Sequence, residues 1–276
     1  MTDSKPLRLL HLSDLHFGRI EDRVLRKLES YITNENHSFD MAILTGDLTQ
    51  RAKSAQFIAA KEFLAKLKSP LFLVPGNHDV PLYNLFIRFF NPYAKFNRHF
   101  GEQANRYYEN ERLAIYGLWT VNNLKVQEGT VDAEQIEDME EKFKTAGAGK
   151  IRIVAFHHPL AASEHSHVEK AMQRILALKP HVMMWGHDHK ANAKYWDASR
   201  ERGPVMVAAG TSVSNRTREE SNSFNIIEVV GDVIKVRVVA FDTGKDEFQE
   251  MKDATFEVDK IMSLPLGQSA VSGLRI

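Results

Sequence analysis

Cysteine is absent from this chain. That excludes disulfides and any metal site built on thiolates. An excess of charge is absent too, because 36 basic residues face 36 acidic ones. A balanced chain has no global attraction to nucleic acid or to an anionic membrane, although a local basic patch stays open. Long apolar runs are also missing, and no stretch approaches the ~20 residues needed to span a bilayer. The opening MTDSKPLRLLHLSD holds only a short apolar run, broken by Arg8 and His11. It reads as a first strand rather than a signal peptide, so a soluble cytoplasmic protein is expected. Internal repeats and low-complexity linkers are not found. What is present is 276 residues at 43% hydrophobic composition, enough for one large core or two small ones.

Short apolar runs alternate with longer amphipathic stretches. Residues 7–12, 41–44 and 71–74 read as strands, and 24–32 and 57–67 between them carry helical spacing. Strands alternating with helices indicate parallel pairing in a buried sheet. Further strands are predicted at 113–118, 151–156, 182–185 and 205–209, with helices at 133–143 and 168–178. The C-terminal third changes character. Residues 225–230 and 233–241 flank Gly231-Asp232 and read as a β-hairpin. One domain of two packed sheets flanked by helices, spanning 1–276, is the expected organisation.

The early strands end in polar groups rather than in plain turns. Ser13-Asp14-Leu15-His16 follows the first, Thr45-Gly46-Asp47 the second, and Pro75-Gly76-Asn77-His78-Asp79 the third. His157-His158-Pro159 and Gly186-His187-Asp188-His189 follow two later strands. The carboxyl ends of parallel strands face one crevice, so five segments deliver Asp, Asn and His to one edge. A lone D-x-H or G-D is usually a turn. G-H-x-H says more, because alternate residues of an extended segment point the same way. All five at strand ends, in this order, point to a dinuclear metal site.

The order D-x-H, G-D, G-N-H-D, H-x-P, G-H-x-H resembles the calcineurin-like metallophosphoesterases, over residues 14–189. The resemblance implies a four-layer α/β/β/α sandwich with mixed sheets and two metals above them. It implies that Asp14, His16 and His189 hold one ion, that Asn77, His157 and His187 hold the other, and that Asp47 bridges them. His157 is preferred to His158 because the family's ligand stands two residues before the Pro. Purple acid phosphatases carry a Tyr where this chain has Gln50, so an iron–tyrosinate site is not expected. The protein phosphatases' G-D-x-x-D-R-G and G-N-H-E match neither Gly46-Asp47-Leu48-Thr49-Gln50 nor Asp79. LLHLSDLHFGR resembles the opening of the double-strand-break repair nucleases, which are usually longer. Small bacterial phosphodiesterases of the cyclic-nucleotide type fit length and motif best. Pyrophosphatases acting on UDP-diacylglucosamine share the same core.

The chemistry suits these residues. Mixed carboxylate and imidazole ligands favour borderline divalent ions such as Mn, Fe or Zn. Two ions about 3.5–4 Å apart acidify a bridging water, which attacks the phosphate, and clamp attacking and leaving oxygens in line. Asn77 as a neutral ligand adds no negative charge. His78 is left free to meet the substrate, as donor to developing charge or as acid to the leaving oxygen. Asp79 is expected to orient and charge His78, a turn cap being its simpler reading. A phosphate-ester small molecule is the expected partner, with a nuclease as one alternative and an inactive interaction module on the same fold as another.

Other residues carry less. Asp40 reads as a turn residue and Asp132 as an N-cap. His165 and His167 follow a ligand loop, and solvent is their simpler setting. The same holds for Arg216 and Arg218, with Arg216 carried as a candidate phosphate contact. Residues 81–111 read as a helical insertion rich in aromatics, with Asn91-Pro92 capping a second helix. The simpler reading packs them on the core. The sharper one makes them a lip, with Phe89 and Phe96 gripping a base or acyl chain.

Overall fold

The computed structural model describes residues 5–82, 85–122, 128–147, 149–160, 166–196, 203–218 and 220–258. From the N-terminus come β1 (Leu7–Leu12), α1 (Asp22–Thr33), β2 (Met41–Thr45), α2 (Ser54–Leu64) and β3 (Leu71–Val74). Then follow α3 (Leu85–Phe90), α4 (Ala94–Phe100), a 3₁₀ turn at Gly101–Ala104, β4 (Tyr107–Glu109), β5 (Leu113–Gly117), α5 (Ala133–Thr145) and β6 (Ile151–Ala155). The last elements are α6 (Ser166–Ala177), β7 (Val182–Trp185), β8 (Asn192–Tyr195), β9 (Val205–Ala208), β10 (Ser223–Val230), β11 (Val233–Asp242) and β12 (Glu247–Glu257).

The strands form two mixed six-stranded sheets, ordered β12-β11-β10-β1-β2-β3 and β4-β5-β6-β7-β9-β8. β1, β2 and β3 pair in parallel, and β10 turns the first sheet antiparallel. β5, β6, β7 and β9 pair in parallel, closed by antiparallel β4 and β8. Period-two alternation divides the second sheet's side chains between two clusters. Leu113, Ile115 and Ile153 face the core shared with the first sheet. Ala114, Tyr116 and Val154 pack under Ile136 and Phe143 of α5 and Val168 and Ile175 of α6. Val24 and Leu28 of α1, with Phe57 and Phe63 of α2, join the first sheet's core. The result is the expected α/β sandwich.

One polar connection crosses the interior. His11 is buried, its Nε2 lies 2.9 Å from Thr45 Oγ1, and its Nδ1 lies 3.2 Å from Asn225 Nδ2. Asn225 donates to the carbonyl of Ala208 on β9, in the other sheet. Burial drives the His11 pKa down to about 3, against the pull of Asp14, so this imidazole is neutral.

Residues 81–111 depart from the helical expectation. α4 begins at Ala94 with Tyr93 at its N-cap position, not at Asn91-Pro92, and Tyr107 and Tyr108 belong to the edge strand β4. Tyr83 lies outside the described residues. The aromatics divide. Phe96 is fully buried, with ring centroids 5.2 Å from Phe100 and 6.0 Å from Trp119, while Phe86, Phe89 and Phe90 are exposed. Phe96→Ala is therefore expected to cost about 3–5 kcal/mol as a cavity in the core, and Phe89→Ala only about 0.5 kcal/mol as a surface change. Chemical denaturation of the two variants checks this. Equal losses would mean that α3 packs more tightly than its exposure indicates. Asp132 stands at the N-cap of α5, but its side chain makes no capping bond. Asp40 accepts the backbone N–H of Arg8 at 2.8 Å.

Candidate metal centre

Five loops leave the carboxyl ends of β1, β2, β3, β6 and β7 and touch one another. The backbone N–H of Asp14 donates to Gly46, that of His16 to Asp47, and that of Gly186 to His157. The contacts are close enough to require glycine. A Cβ on Gly76 would lie 2.2 Å from Asp47 Oδ1, and one on Gly186 would lie 1.9 Å from Ser13 Oγ. Asp14, His16, Asp47, His187 and His189 all sit at positive φ, between 51° and 70°. Non-glycine residues adopt that region at a cost of order 1–3 kcal/mol each, and such residues cluster at functional sites. Here the strained backbone is what turns five chemically competent side chains toward one point.

The side chains form two overlapping groups. In the first, His189 Nε2 lies 3.1 Å and His16 Nε2 3.6 Å from Asp14 Oδ1, and the two Nε2 atoms are 3.2 Å apart. In the second, His157 Nε2 lies 3.2 Å from Asn77 Oδ1 and 3.4 Å from Asp47 Oδ1. Asp47 belongs to both, because its Oδ2 is 3.7 Å from His16 Nε2. The His187 ring centroid is 5.2 Å from that of His157. His158 is close to His187, yet its Nδ1 turns to Thr120 Oγ1 at 3.0 Å, so His157 is the histidine that faces the carboxylates.

The donor set fits metal ions. His157 Nδ1 donates to the Thr45 carbonyl and His189 Nδ1 to the Arg216 carbonyl, both at 2.7 Å. A ring held that way offers its Nε2 to the facing oxygens, as a donor while it is protonated and as a lone pair to a cation between them once it is neutral. Asp14 Oδ1 is buried and receives no well-formed hydrogen bond. Titration tells the same story. Burial alone would raise the carboxyls, but His16, His189 and His157 hold Asp14 well below the usual carboxylate range. His157 and His16 do the same to Asp47. Burial opposes charge on His157, yet Asp47 and then Asp14 raise its pKa to about 10. The site draws positive charge inward, and carboxylate, imidazole and amide donors suit borderline divalent ions.

His78 stands at the edge of this cluster. Its Nδ1 lies 2.8 Å from the Gln50 carbonyl and its Nε2 3.0 Å from Arg216 Nη1. Arg51 Nη1 is 3.2 Å from Nδ1. Burial, opposed by Asp47, lowers the pKa of this ring. Asp79 does not meet the His78 ring. Its carboxylate turns inward and accepts the N–H groups of Gly76, Leu48 and Thr49 and the Thr49 hydroxyl. It braces the loops after β2 and β3 and leaves the orientation of His78 to Gln50. Sequence reasoning weighed Gln50 only as a departure from family motifs and passed over Arg51, and it linked neither to His78.

A cavity of about 400 Å³ opens above the cluster. Asp47, Asn77 and His78 line it from the first sheet's loops, His187 and His189 from the second's, and Arg216 and Arg218 from the loop after β9. Among the described residues, none of α3 or α4 lines it, so the lip expected from Phe89 and Phe96 finds no support. His165 lies outside the described residues, and His167 is exposed at the start of α6.

Comparison with known proteins matches this geometry. The model of the calcineurin-like phosphoesterase family matches residues 7–191, which hold all five loops. The chain is 25% identical over 272 residues to the 3',5'-cyclic adenosine monophosphate phosphodiesterase CpdA of Escherichia coli K12, covering 92% of this chain and 93% of that protein. A shorter match, 38% over 80 residues, links it to the UDP-2,3-diacylglucosamine pyrophosphatase LpxG of Chlamydia muridarum, with 28% of this chain and 24% of that one covered. In fold it is similar to the purple acid phosphatase PPD1 of yellow lupin, with a TM-score of 0.66 at 15% identity over 93% of this chain and 55% of that structure. With the family's motifs on five loops of its sandwich, the chain belongs to the calcineurin-like phosphoesterase family and is a metal-dependent phosphoesterase.

Proposed function

We propose that this chain is a phosphodiesterase that works with two divalent transition-metal ions and hydrolyses a small phosphate diester, a cyclic nucleotide being the first to test. The observation that carries this reading is Asp47, whose two oxygens face different histidine groups. Asp14, His16 and His189 with one oxygen of Asp47 would hold one ion. Asn77, His157 and His187 with the other oxygen would hold the second. Bound there, Mn, Fe or Zn supplies a nucleophile at neutral pH and offsets the charge of the phosphoryl oxygens.

The chain's own groups do the rest. The Gln50 carbonyl anchors His78 through Nδ1, which turns Nε2 toward Arg216 at the cavity wall. For His78 to hand a proton to the departing oxygen, the incoming phosphate must draw Arg216 off Nε2 and raise the ring's lowered pKa. Arg216, hydrogen-bonded to His78, supplies donors to the phosphoryl oxygens. The similarity to CpdA over nearly the whole of both chains favours a diesterase, and every ligand position of the family's motif is filled, which disfavours an inactive interaction module. Protein loaded with Mn is expected to hydrolyse bis-p-nitrophenyl phosphate and 3',5'-cyclic adenosine monophosphate, and a chelator is expected to abolish both activities. A metal-loaded preparation that cleaves only monoesters would overturn the diesterase reading.

A further inference from the structure

Two histidines follow β6, and both are buried beside the metal centre. A ring nitrogen of His158 lies within 4.8 Å of ligand nitrogens from His157 and His187. Three imidazoles make a rival donor set for a transition metal, one that leaves out Asn77 and Asp47. The partner of His158 on the neighbouring strand end bears on which set wins.

Thr120 stands just beyond β5, which pairs in parallel with β6. The two strand ends run side by side, with the Leu118 N–H donating to the Ala155 carbonyl at 2.8 Å. The chain folds back over this corner at 129–130. The Thr130 N–H donates to the Thr120 carbonyl at 3.0 Å, and a Cβ on Gly129 would lie 2.6 Å from His158 Cβ. Thr120 is wholly buried, and its Oγ1 meets His158 twice. It accepts the His158 backbone N–H at 3.1 Å and lies 3.0 Å from Nδ1. The hydroxyl proton has no acceptor other than Nδ1 among the described residues, and a buried donor left unmet is unfavourable. It therefore points at Nδ1, and the neutral ring carries its own proton on Nε2. Such a ring has no lone pair for a cation, because Thr120 takes one nitrogen and hydrogen the other.

The same ring packs against a ligand. Metal-binding imidazoles are held in orientation by an outer partner. His157 and His189 have theirs in the Thr45 and Arg216 carbonyls. Among the described residues no hydrogen bond reaches the His187 ring, and only its backbone N–H is tied, to Asp14 Oδ2 at 3.0 Å. The ring rests on His158, with centroids 4.6 Å apart and planes at 48°, and on His157 at 5.2 Å and 84°. His158 also meets His157 edge to face, at 4.8 Å and 82°. The three rings close a triangle, with the cavity on the His187 side and Thr120 behind His158.

We infer that Thr120 is a positioning residue for the second ion. Its hydroxyl locks the His158 tautomer, so that His158 braces the ligand His187 without competing for the metal. This rests on the two-ion reading above and adds what selects between adjacent histidines.

Nitrogen NMR of the metal-free full chain, isotopically labelled at histidine, reads the lock directly. His158 is expected to show a bare Nδ1 and a protonated Nε2 in the native chain and in Thr120→Ser, and to lose that signature in Thr120→Val. Calorimetric titration with Mn²⁺ reads the consequence. Thr120→Val is expected to weaken one of the two ions by ~10–100-fold, the range for losing an outer partner of a metal ligand, while Thr120→Ser stays near the native affinity. Adding His158→Phe to Thr120→Val keeps a ring against His187 and removes the competing nitrogen, so it is expected to recover most of the loss. A native His158 that carries a proton on Nδ1 overturns the lock, and so does unchanged Mn²⁺ binding in Thr120→Val. A double variant that binds Mn²⁺ as weakly as Thr120→Val overturns it too, because Thr120 would then act through the backbone alone. If the native chain shows the Nε2 tautomer but takes up a single ion, the lock stands and the two-ion reading falls.

Discussion

Asp47→Asn is expected to abolish paired metal binding and to lower turnover by more than the ~10–100-fold that loss of an outer hydrogen-bond partner of a metal ligand costs. The carboxylate is the group common to both ligand clusters, with Oδ2 toward His16 and Oδ1 toward His157. An amide keeps one oxygen and replaces the other with a donor, so it can serve one cation position but not two. It also removes the charge that most opposes burial's effect on His157. The backbone N–H of His78 can still donate to the remaining oxygen, as it does to Asp47 Oδ1 at 2.8 Å, so the loops keep their arrangement. Elemental analysis and steady-state kinetics on the same preparation decide the matter. Two full equivalents of metal with normal turnover would remove Asp47 from its bridging role.

His78→Ala is expected to retain metal and lose turnover by ~10²–10⁴-fold, the range for a positioned acid or electrostatic donor. Metal content is the decisive readout, because a ring nitrogen of His78 also falls within 4.8 Å of ligand atoms from His16 and Asp47. The contacts of the ring argue against ligation. Nδ1 is taken up by the Gln50 carbonyl and Nε2 faces Arg216. A variant that loses metal along with activity would make His78 a ligand.

Much of the molecule is legible in the sequence for a physical reason. The parallel strands β1, β2, β3 and β6 are largely buried, so they read as apolar runs with sharp polar ends. Those ends are where Asp14, Asp47, Asn77 and His157 stand. The exposed edge strands β8 and β12 carry no such signal. β8 reads Asn-Ala-Lys-Tyr with only part of each residue covered, and β12 is mostly polar and exposed. Sequence adjacency misleads at Asp79, because neighbouring side chains in a tight turn diverge. Three backbone N–H groups and the Thr49 hydroxyl draw its carboxylate inward more strongly than one imidazole can draw it outward. The setting of His78 is hidden for the opposite reason. Gln50 and Arg216 reach it from 28 and 138 residues away, and no local pattern joins either to His78.

The seam between the two sheets carries a thermodynamic consequence. Asp14, Asp47 and Asn77 come from loops of the first sheet, and His157, His187 and His189 from loops of the second. An ion held by both is a clasp between halves of the fold as well as a reagent. By mass action, a ligand that binds only the native chain adds about 2.7 kcal/mol of stability when its free concentration is a hundredfold above its dissociation constant. A melting temperature measured for this protein is therefore a joint property of the chain and of the metal activity in the buffer.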